Sequence, residues 1–118
     1  MSKRYDLEER TEIFARKVRD FVRKLPKDLT KLEYGRQLIR SSGSVGANYI
    51  EANEALSKKD FLMRIRISRK ESKEARYWLR LIIPSESQRN EQESLIQEAT
   101  ELMMIFSAIL RKAEGKQG

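Results

Sequence analysis

Apolar residues recur at three- and four-residue steps along most of this chain, and its two prolines, Pro26 and Pro84, fall where that rhythm breaks. A period near 3.6 marks helices with one buried face. Proline ends a helix because it lacks an N–H donor and its ring clashes with the preceding turn. No segment shows the strict alternation of a half-buried strand. The chain is therefore expected to be all-α, and its 118 residues suffice for one domain, 1–118, with little room for a second.

Punctuation and period together predict four helices. Asp6 and Glu9 have capping-box spacing, and Phe14, Val18, Phe21, Val22 and Leu25 follow in step, giving a helix over 7–25. The polar connection Lys27-Asp28-Leu29-Thr30 leads to a second helix over 31–56. Its stripe is Leu38, Ser42, Val45, Tyr49, Ala52 and Leu56, with Gly35, Gly43 and Gly46 beside it together with Ile39 and Ile50. The run Arg40-Ser41-Ser42-Gly43-Ser44-Val45-Gly46 also reads as a loop, because Ser and Gly are poor helix formers. The apolar period stays in phase on both sides, which favours a helix whose small residues admit a close neighbour. No Gly-Lys-Ser/Thr follows, so a phosphate-cradling loop is disfavoured. Ser57 with Asp60 starts a third helix over 58–83, and Ser85 to Asn90 forms a polar turn. The fourth helix, 88–113, carries Leu95, Ile96, Ala99, Leu102, Met103, Phe106, Ile109, Leu110 and Ala113 on one face, with Gly115 beyond its end. Short connections place consecutive helices antiparallel, predicting an up-down-up-down four-helix bundle. Residues 1–5 and 116–118 are expected to fray.

The third helix is the most informative. With about 100° between successive residues, its side chains sort into three directions. Phe61, Ile65, Ser68, Ser72, Ala75, Leu79 and Ile82 point to the core. A second sector holds Arg66, Arg69, Lys70, Lys73, Arg76 and Arg80, a basic ridge with few acids on its own face. The third holds Met63, Ile67, Trp78 and Leu81, with Glu71, Glu74 and Tyr77 around them. A bundle needs one inward stripe per helix, so this second apolar stripe is expected to meet another copy of the chain, Trp and Met being favoured interface residues. The alternative is a central helix that packs on two sides within one chain.

The ridge reads either as a solvated face or as an anion-binding surface. The formal net charge is +7, and its excess lies in residues 1–80, where 21 Lys and Arg stand against 12 Asp and Glu. Arginine outnumbers lysine on the ridge, and its planar fork suits phosphate oxygens. No aromatic is interleaved for base stacking, which points to sequence-tolerant contact with a phosphate backbone, RNA or DNA. Arg16, Arg19, Arg23 and Lys24 of the first helix are candidates to extend the patch. An acidic protein is the alternative partner. A membrane surface fits less well, because the same helix is committed to a core.

Histidine and cysteine are both absent, which removes the commonest general base, the thiol nucleophile and most transition-metal ligands. No catalytic residue, metal or cofactor is expected. Asn48, Glu51 and Glu54 near Ser44 suit capping or interhelical hydrogen bonds better than a cation site. No disulfide is possible, no apolar run approaches the roughly 20 residues of a membrane span, and no signal-peptide pattern opens the chain. A cytoplasmic protein is the expectation.

The segment Ile39-Arg40-Ser41-Ser42-Gly43-Ser44-Val45-Gly46-Ala47-Asn48-Tyr49-Ile50-Glu51-Ala52, then Ser57-Lys58-Lys59-Asp60-Phe61 and Arg69-Lys70-Glu71-Ser72-Lys73-Glu74-Ala75 before Tyr77-Trp78-Leu79, resembles the "four helix bundle protein" family. That family is associated with intervening sequences of bacterial large-subunit ribosomal RNA genes. The resemblance spans Phe14 to Leu110. It implies an antiparallel bundle assembling into a homopentamer, and kinship with the accessory proteins of diversity-generating retroelements, basic pentamers that bind a reverse transcriptase and nucleic acid. Many members read Ala-Asn-Ile-Ala-Glu-Gly where this chain has Ala47-Asn48-Tyr49-Ile50-Glu51-Ala52-Asn53, so no role of that Glu or Gly is carried over.

Overall fold

Three of the four helices begin on a side chain that satisfies one of their free N–H groups. The computed structural model describes residues 6–115; the expected fraying of 1–5 and 116–118 lies outside the described residues. α1 (Leu7–Arg23) is capped by Asp6, whose Oδ1 accepts from the Glu9 N–H at 2.8 Å. α2 (Leu29–Asn53) is capped by Asp28, accepting from Lys31 N–H at 2.9 Å, and α3 (Lys58–Leu81) by Ser57, accepting from Asp60 N–H at 3.1 Å. A 3-10 turn, Glu86–Gln88, runs into α4 (Arg89–Ala113), beyond which Gly115 takes φ +74°, the left-handed conformation that glycine enters without steric cost. The described residues are all-α, four helices with no strand.

Several expected boundaries move, each for a local reason. α2 starts at Leu29 rather than 31, because Asp28 is a cap and not part of a passive connection. It ends at Asn53 rather than 56: the chain turns there so that Ser57 can adopt the extended conformation of the next cap, and Leu56 is left 99% exposed outside the core stripe. α1 stops at Arg23 ahead of Pro26, although Leu25 stays buried. α3 stops at Leu81, with Ile82 extended two residues before Pro84 yet still in the core.

The Arg40–Gly46 run is helical, and its small residues do what close packing requires. Ser41, Ser42 and Val45 of α2 are buried, as are Ser68, Ser72 and Ala75 of α3. The Ser68 hydroxyl crosses to the Val45 carbonyl at 2.9 Å, and Ser72 donates to the Ser68 carbonyl at 2.8 Å. Buried hydroxyls are tolerated when bonded, and among the described residues no buried side-chain nitrogen or oxygen lacks a partner. On the other side of α2, a Cβ at Gly35 would lie 3.0 Å from Val22 Cγ1, so α1 too approaches closely. α3 is the central helix, packed on both α2 and α4, while α1 lies on α2 and touches α4 more lightly.

Phe14, Phe21, Leu38, Ile65, Leu79, Leu102 and Phe106 fill the core. Its floor is closed by two buried glutamines. Gln88 Nε2 donates to the Phe21 carbonyl at the end of α1 (3.0 Å), and Gln92 Nε2 to the Leu79 and Ile82 carbonyls at the end of α3 (2.8 and 2.7 Å). The Leu79 and Ile82 carbonyls lie at and just past the end of α3, where no following helical N–H reaches them, whereas the Phe21 carbonyl also accepts from the Lys24 N–H at 3.3 Å. Among the described residues no helix is long and apolar enough to cross a membrane.

Candidate nucleic-acid interface

α3 is held by its neighbours in one rotation, and that rotation decides which side chains reach solvent. Ile65, Ser68, Ser72, Ala75 and Leu79 are buried, as the period requires. Arg69, Lys70, Lys73 and Arg80 are exposed, and Arg76 is half-buried with its Nη1 3.3 Å from Thr100 Oγ1 of α4. Arg66 is the one ridge residue in an ion pair, with Glu114 just past α4. Among the described residues no carboxylate pairs with the other five. The contrast with α2 is direct, since all three of its cations are paired: Lys31 with Asp28, Arg36 with Glu33, Arg40 with Glu71 and Glu74. Arg16 and Arg19 of α1 and Lys24 just past its end are likewise tied to Glu12, Asp20 and Glu91, while Arg23 is exposed and in no ion pair among the described residues. The first helix therefore offers less free charge than its composition suggests.

The two glutamates of α3 beside the ridge are engaged from α2, although Glu74 also feels the Lys70 charge. Glu71 is only 6% exposed and Glu74 half-buried, both engaged by the Arg40 guanidinium from α2. Burial opposes ionisation of Glu74, but the hydrogen bond from Trp78 Nε1 (3.1 Å) and the Arg40 contact together outweigh it. Its carboxyl is held below the usual carboxylate range. Asn48 forms the second polar crossing, donating to the Ser44 carbonyl and hydroxyl and accepting from Arg64 Nη1 at 2.9 Å. It makes an interhelical hydrogen bond, as its position suggested; Glu51 and Glu54 stay on the surface.

The second apolar sector of α3 is divided. Trp78 is half-buried, its ring 5.7 Å from Tyr34 of α2 and 5.0 Å from Tyr77, and Ile67 is half-buried as well. Met63 and Leu81 are exposed. A further apolar surface lies on α2: Ile39 and Ile50, set beside the core stripe in the sequence, and Leu32, which the sequence reading missed, are 45%, 47% and 58% exposed along the seam with α1. The signal was present as a second set of seven- and four-residue steps, Leu32–Ile39–Gly43–Ile50, offset in direction from Leu38–Val45–Ala52.

The model of the 23S rRNA-intervening sequence protein family matches residues 3–108 of the chain. The chain belongs to that family. No curated protein matches it. Among solved structures it is similar to a protein of unknown function from the S23 ribosomal protein family of Bacteroides thetaiotaomicron, with 29% identity, a TM-score of 0.76, and coverage of 90% of this chain and 99% of that one. In the structure the Arg40–Asn48 block lies at the α2–α3 crossing. Its Ser41 and Ser42 are buried there, its Asn48 holds Arg64, and its Arg40 holds the Glu71 and Glu74 carboxylates.

Proposed function

We propose that this intervening-sequence family protein works without catalysis, as a basic oligomeric bundle that binds the phosphate backbone of nucleic acid through α3. The observation that carries the reading is the ridge itself: Arg69, Lys70, Lys73, Arg76 and Arg80 without carboxylate partners among the described residues, on a helix whose own glutamates are engaged by Arg40. Cations left unneutralised along a rigid helix release counterions when they meet phosphates, which drives binding with little regard to base sequence. RNA is the favoured ligand, or DNA beside a nucleic-acid enzyme such as a reverse transcriptase. The absence of His and Cys from the whole sequence supports a binding role over an enzymatic one.

The proposal includes an up-down-up-down bundle assembled into a homo-oligomer, a pentamer by family resemblance. Asn53 at the end of α2 bonds Glu8 at the start of α1 (2.8 Å), Arg64 early in α3 bonds Asn48 late in α2, and Arg66 meets Glu114 past α4, all consistent with antiparallel neighbours. Titrating labelled structured RNA and duplex DNA across a salt series tests the binding, with Arg69/Lys73/Arg76→Glu as control. Affinity that falls steeply with salt and collapses in the triple variant is the expected result. Absence of binding to either nucleic acid at low salt would remove the reading.

A further inference from the structure

Tyr77 is the one exposed aromatic side chain among the described residues, with 56% of its surface open to solvent. Every other described aromatic is buried or half-buried. By residue type Tyr77 goes with the apolar sector around Trp78, but the turn of the helix sets it elsewhere. At about 100° per residue it stands about 20° from Lys70, about 40° from Lys73 and about 60° from Arg80 on the circumference of α3. That is inside the arc the ridge occupies. Lys73 lies one turn before it and Arg80 one turn after, both exposed. None of the six cationic positions holds an aromatic, yet a ring stands among them.

The ring is braced. It meets Trp78 edge to face, with centroids 5.0 Å apart and planes at 70°. Trp78 is fixed in turn by its Nε1 bond to the Glu74 carboxylate at 3.1 Å and by its packing on Tyr34 of α2. An edge-to-face contact covers at most one face of either ring, so Trp78 leaves at least one face of Tyr77 open. A flat ring held on one side, open on another and bordered by cations has the make-up of a stacking platform. The cations hold successive phosphates, and the ring takes a base that has left its partner. Bases within a continuous duplex cannot serve, because their faces are covered by their neighbours. From the phosphate-binding reading, on which this step rests, we infer that Tyr77 stacks on an unpaired base. The ridge then selects single-stranded or looped nucleic acid over continuous duplex. Every base has a π-face, so the contact stays tolerant of sequence.

Two RNA probes of one length separate stacking from backbone contact alone: a single-stranded oligouridine of about 12 nucleotides and a duplex of about 12 base pairs. Tyr77→Ala removes the ring, and Tyr77→Phe keeps it while deleting the hydroxyl. Tyr77→Ala is expected to weaken oligouridine binding about tenfold and to leave duplex binding unchanged. The salt slope should stay as in wild type on both probes, because no cation is lost. Tyr77→Phe is expected to bind both probes as wild type does, and both variants to keep the wild-type circular dichroism and sedimenting mass. In oligouridine carrying 5-iodouridine, irradiation should crosslink the base to Tyr77, located by mass spectrometry of the digested complex. The inference is overturned if Tyr77→Ala weakens both probes equally or neither, if Tyr77→Phe loses as much as Tyr77→Ala, or if Tyr77→Ala changes the sedimenting mass. Duplex and oligouridine binding that ignores Tyr77 but collapses in Arg69/Lys73/Arg76→Glu removes this step and leaves the phosphate-binding reading standing. A wild-type chain that binds neither probe at low salt removes both.

Discussion

Gly46 of α2 meets Thr11 of α1 so closely that a Cβ on the glycine would lie 2.8 Å from the threonine hydroxyl and 3.1 Å from its Cβ. Thr11 has no room to yield. It is buried, and its hydroxyl already bonds the Leu7 and Glu8 carbonyls of its own helix at 2.8 and 3.0 Å. Gly46→Ala gains about 1 kcal/mol of helix propensity but incurs overpacking of about 1–3 kcal/mol, so the clash is expected to win. Gly43→Ala, with open space at its Cβ, is expected to gain the propensity alone. Urea unfolding of the two variants should move the midpoint in opposite directions. A stabilised Gly46→Ala would mean that α1 slides away at no cost.

The second prediction concerns the bundle floor. Gln92 is the shared partner of the Leu79 and Ile82 carbonyls, which the end of α3 leaves without helical donors. Gln92→Leu preserves volume but strips both acceptors in a buried place, at a cost of about 1–3 kcal/mol. Gln97→Leu removes an exposed hydrogen bond to Glu101 and is expected to change stability by no more than about 0.5 kcal/mol. Equal losses in thermal unfolding would show that water reaches the carbonyls once Gln92 is gone.

These two cases show where sequence was sufficient and where it was not. The four helices were legible because Phe14–Leu25, Leu38–Ala52, Ile65–Ile82 and Leu95–Leu110 keep period against one solvent, and Pro26 and Pro84 punctuate them. The ridge was legible for the same reason, since 3-4 steps from Arg66 to Arg80 share a face whatever surrounds them. Pairings across helices were not legible. Arg66–Glu114 and Arg40–Glu71 join residues 48 and 31 positions apart, and depend on how two helices rotate against each other. For the same reason Gly43 and Gly46, similar in sequence context, differ in fact: one faces solvent and the other α1. Asp28 escaped because a cap followed by Leu-Thr lacks the acidic N3 residue of a capping box; Lys31 stands there instead.

Arg40 is predicted to matter more than its exposure implies. It is the cation for Glu71, which is nearly buried, and for Glu74. Arg40→Ala leaves a desolvated carboxylate unpaired; the half-exposed arginine limits the cost to about 1–3 kcal/mol, below that of a fully buried pair. Arg36→Ala, which breaks a surface pair with Glu33, is expected to cost no more than about 0.5 kcal/mol. Adding Glu71→Gln to Arg40→Ala should recover part of the loss in denaturant unfolding. Without recovery, the unpaired charge is not what destabilises the single variant.

Stability should be flat from pH 5 to 8 and fall on acidification. No histidine is present to titrate in the upper range. Asp28 is lowered to about 2 by the Lys31 backbone N–H, with the Lys31 ammonium and Thr30 hydroxyl adding to it; Glu101 is lowered by its bond from Gln97 and by Arg10. Glu74 is lowered as well. Depressed folded-state values mean that the unfolded chain takes up protons first. The stabilisation is therefore complete above the unfolded values near 4 and is lost as pH falls toward about 2. Asp28→Asn keeps a competent cap without the titration, so the urea midpoint at neutral pH should barely move while the acid limb becomes shallower. An acid limb as steep as wild type would assign the loss to other carboxylates.

The salt dependence of nucleic-acid binding should distinguish residues within the ridge. Each cation that neutralises a phosphate contributes about 0.9 to the log–log salt slope on duplex DNA and about 0.7 on a single strand. Arg69→Gln, Lys73→Gln and Arg80→Gln are each expected to lower the slope by about that amount and weaken binding alike across sequences. Arg66 is already engaged by Glu114, so Arg66→Gln should change the slope less. Glu114→Gln makes the sharper test, because it removes the competing carboxylate and leaves the cation. Releasing Arg66 in this way should tighten binding and steepen the slope, whereas an unchanged slope would place the phosphate track away from the α4 end of the ridge.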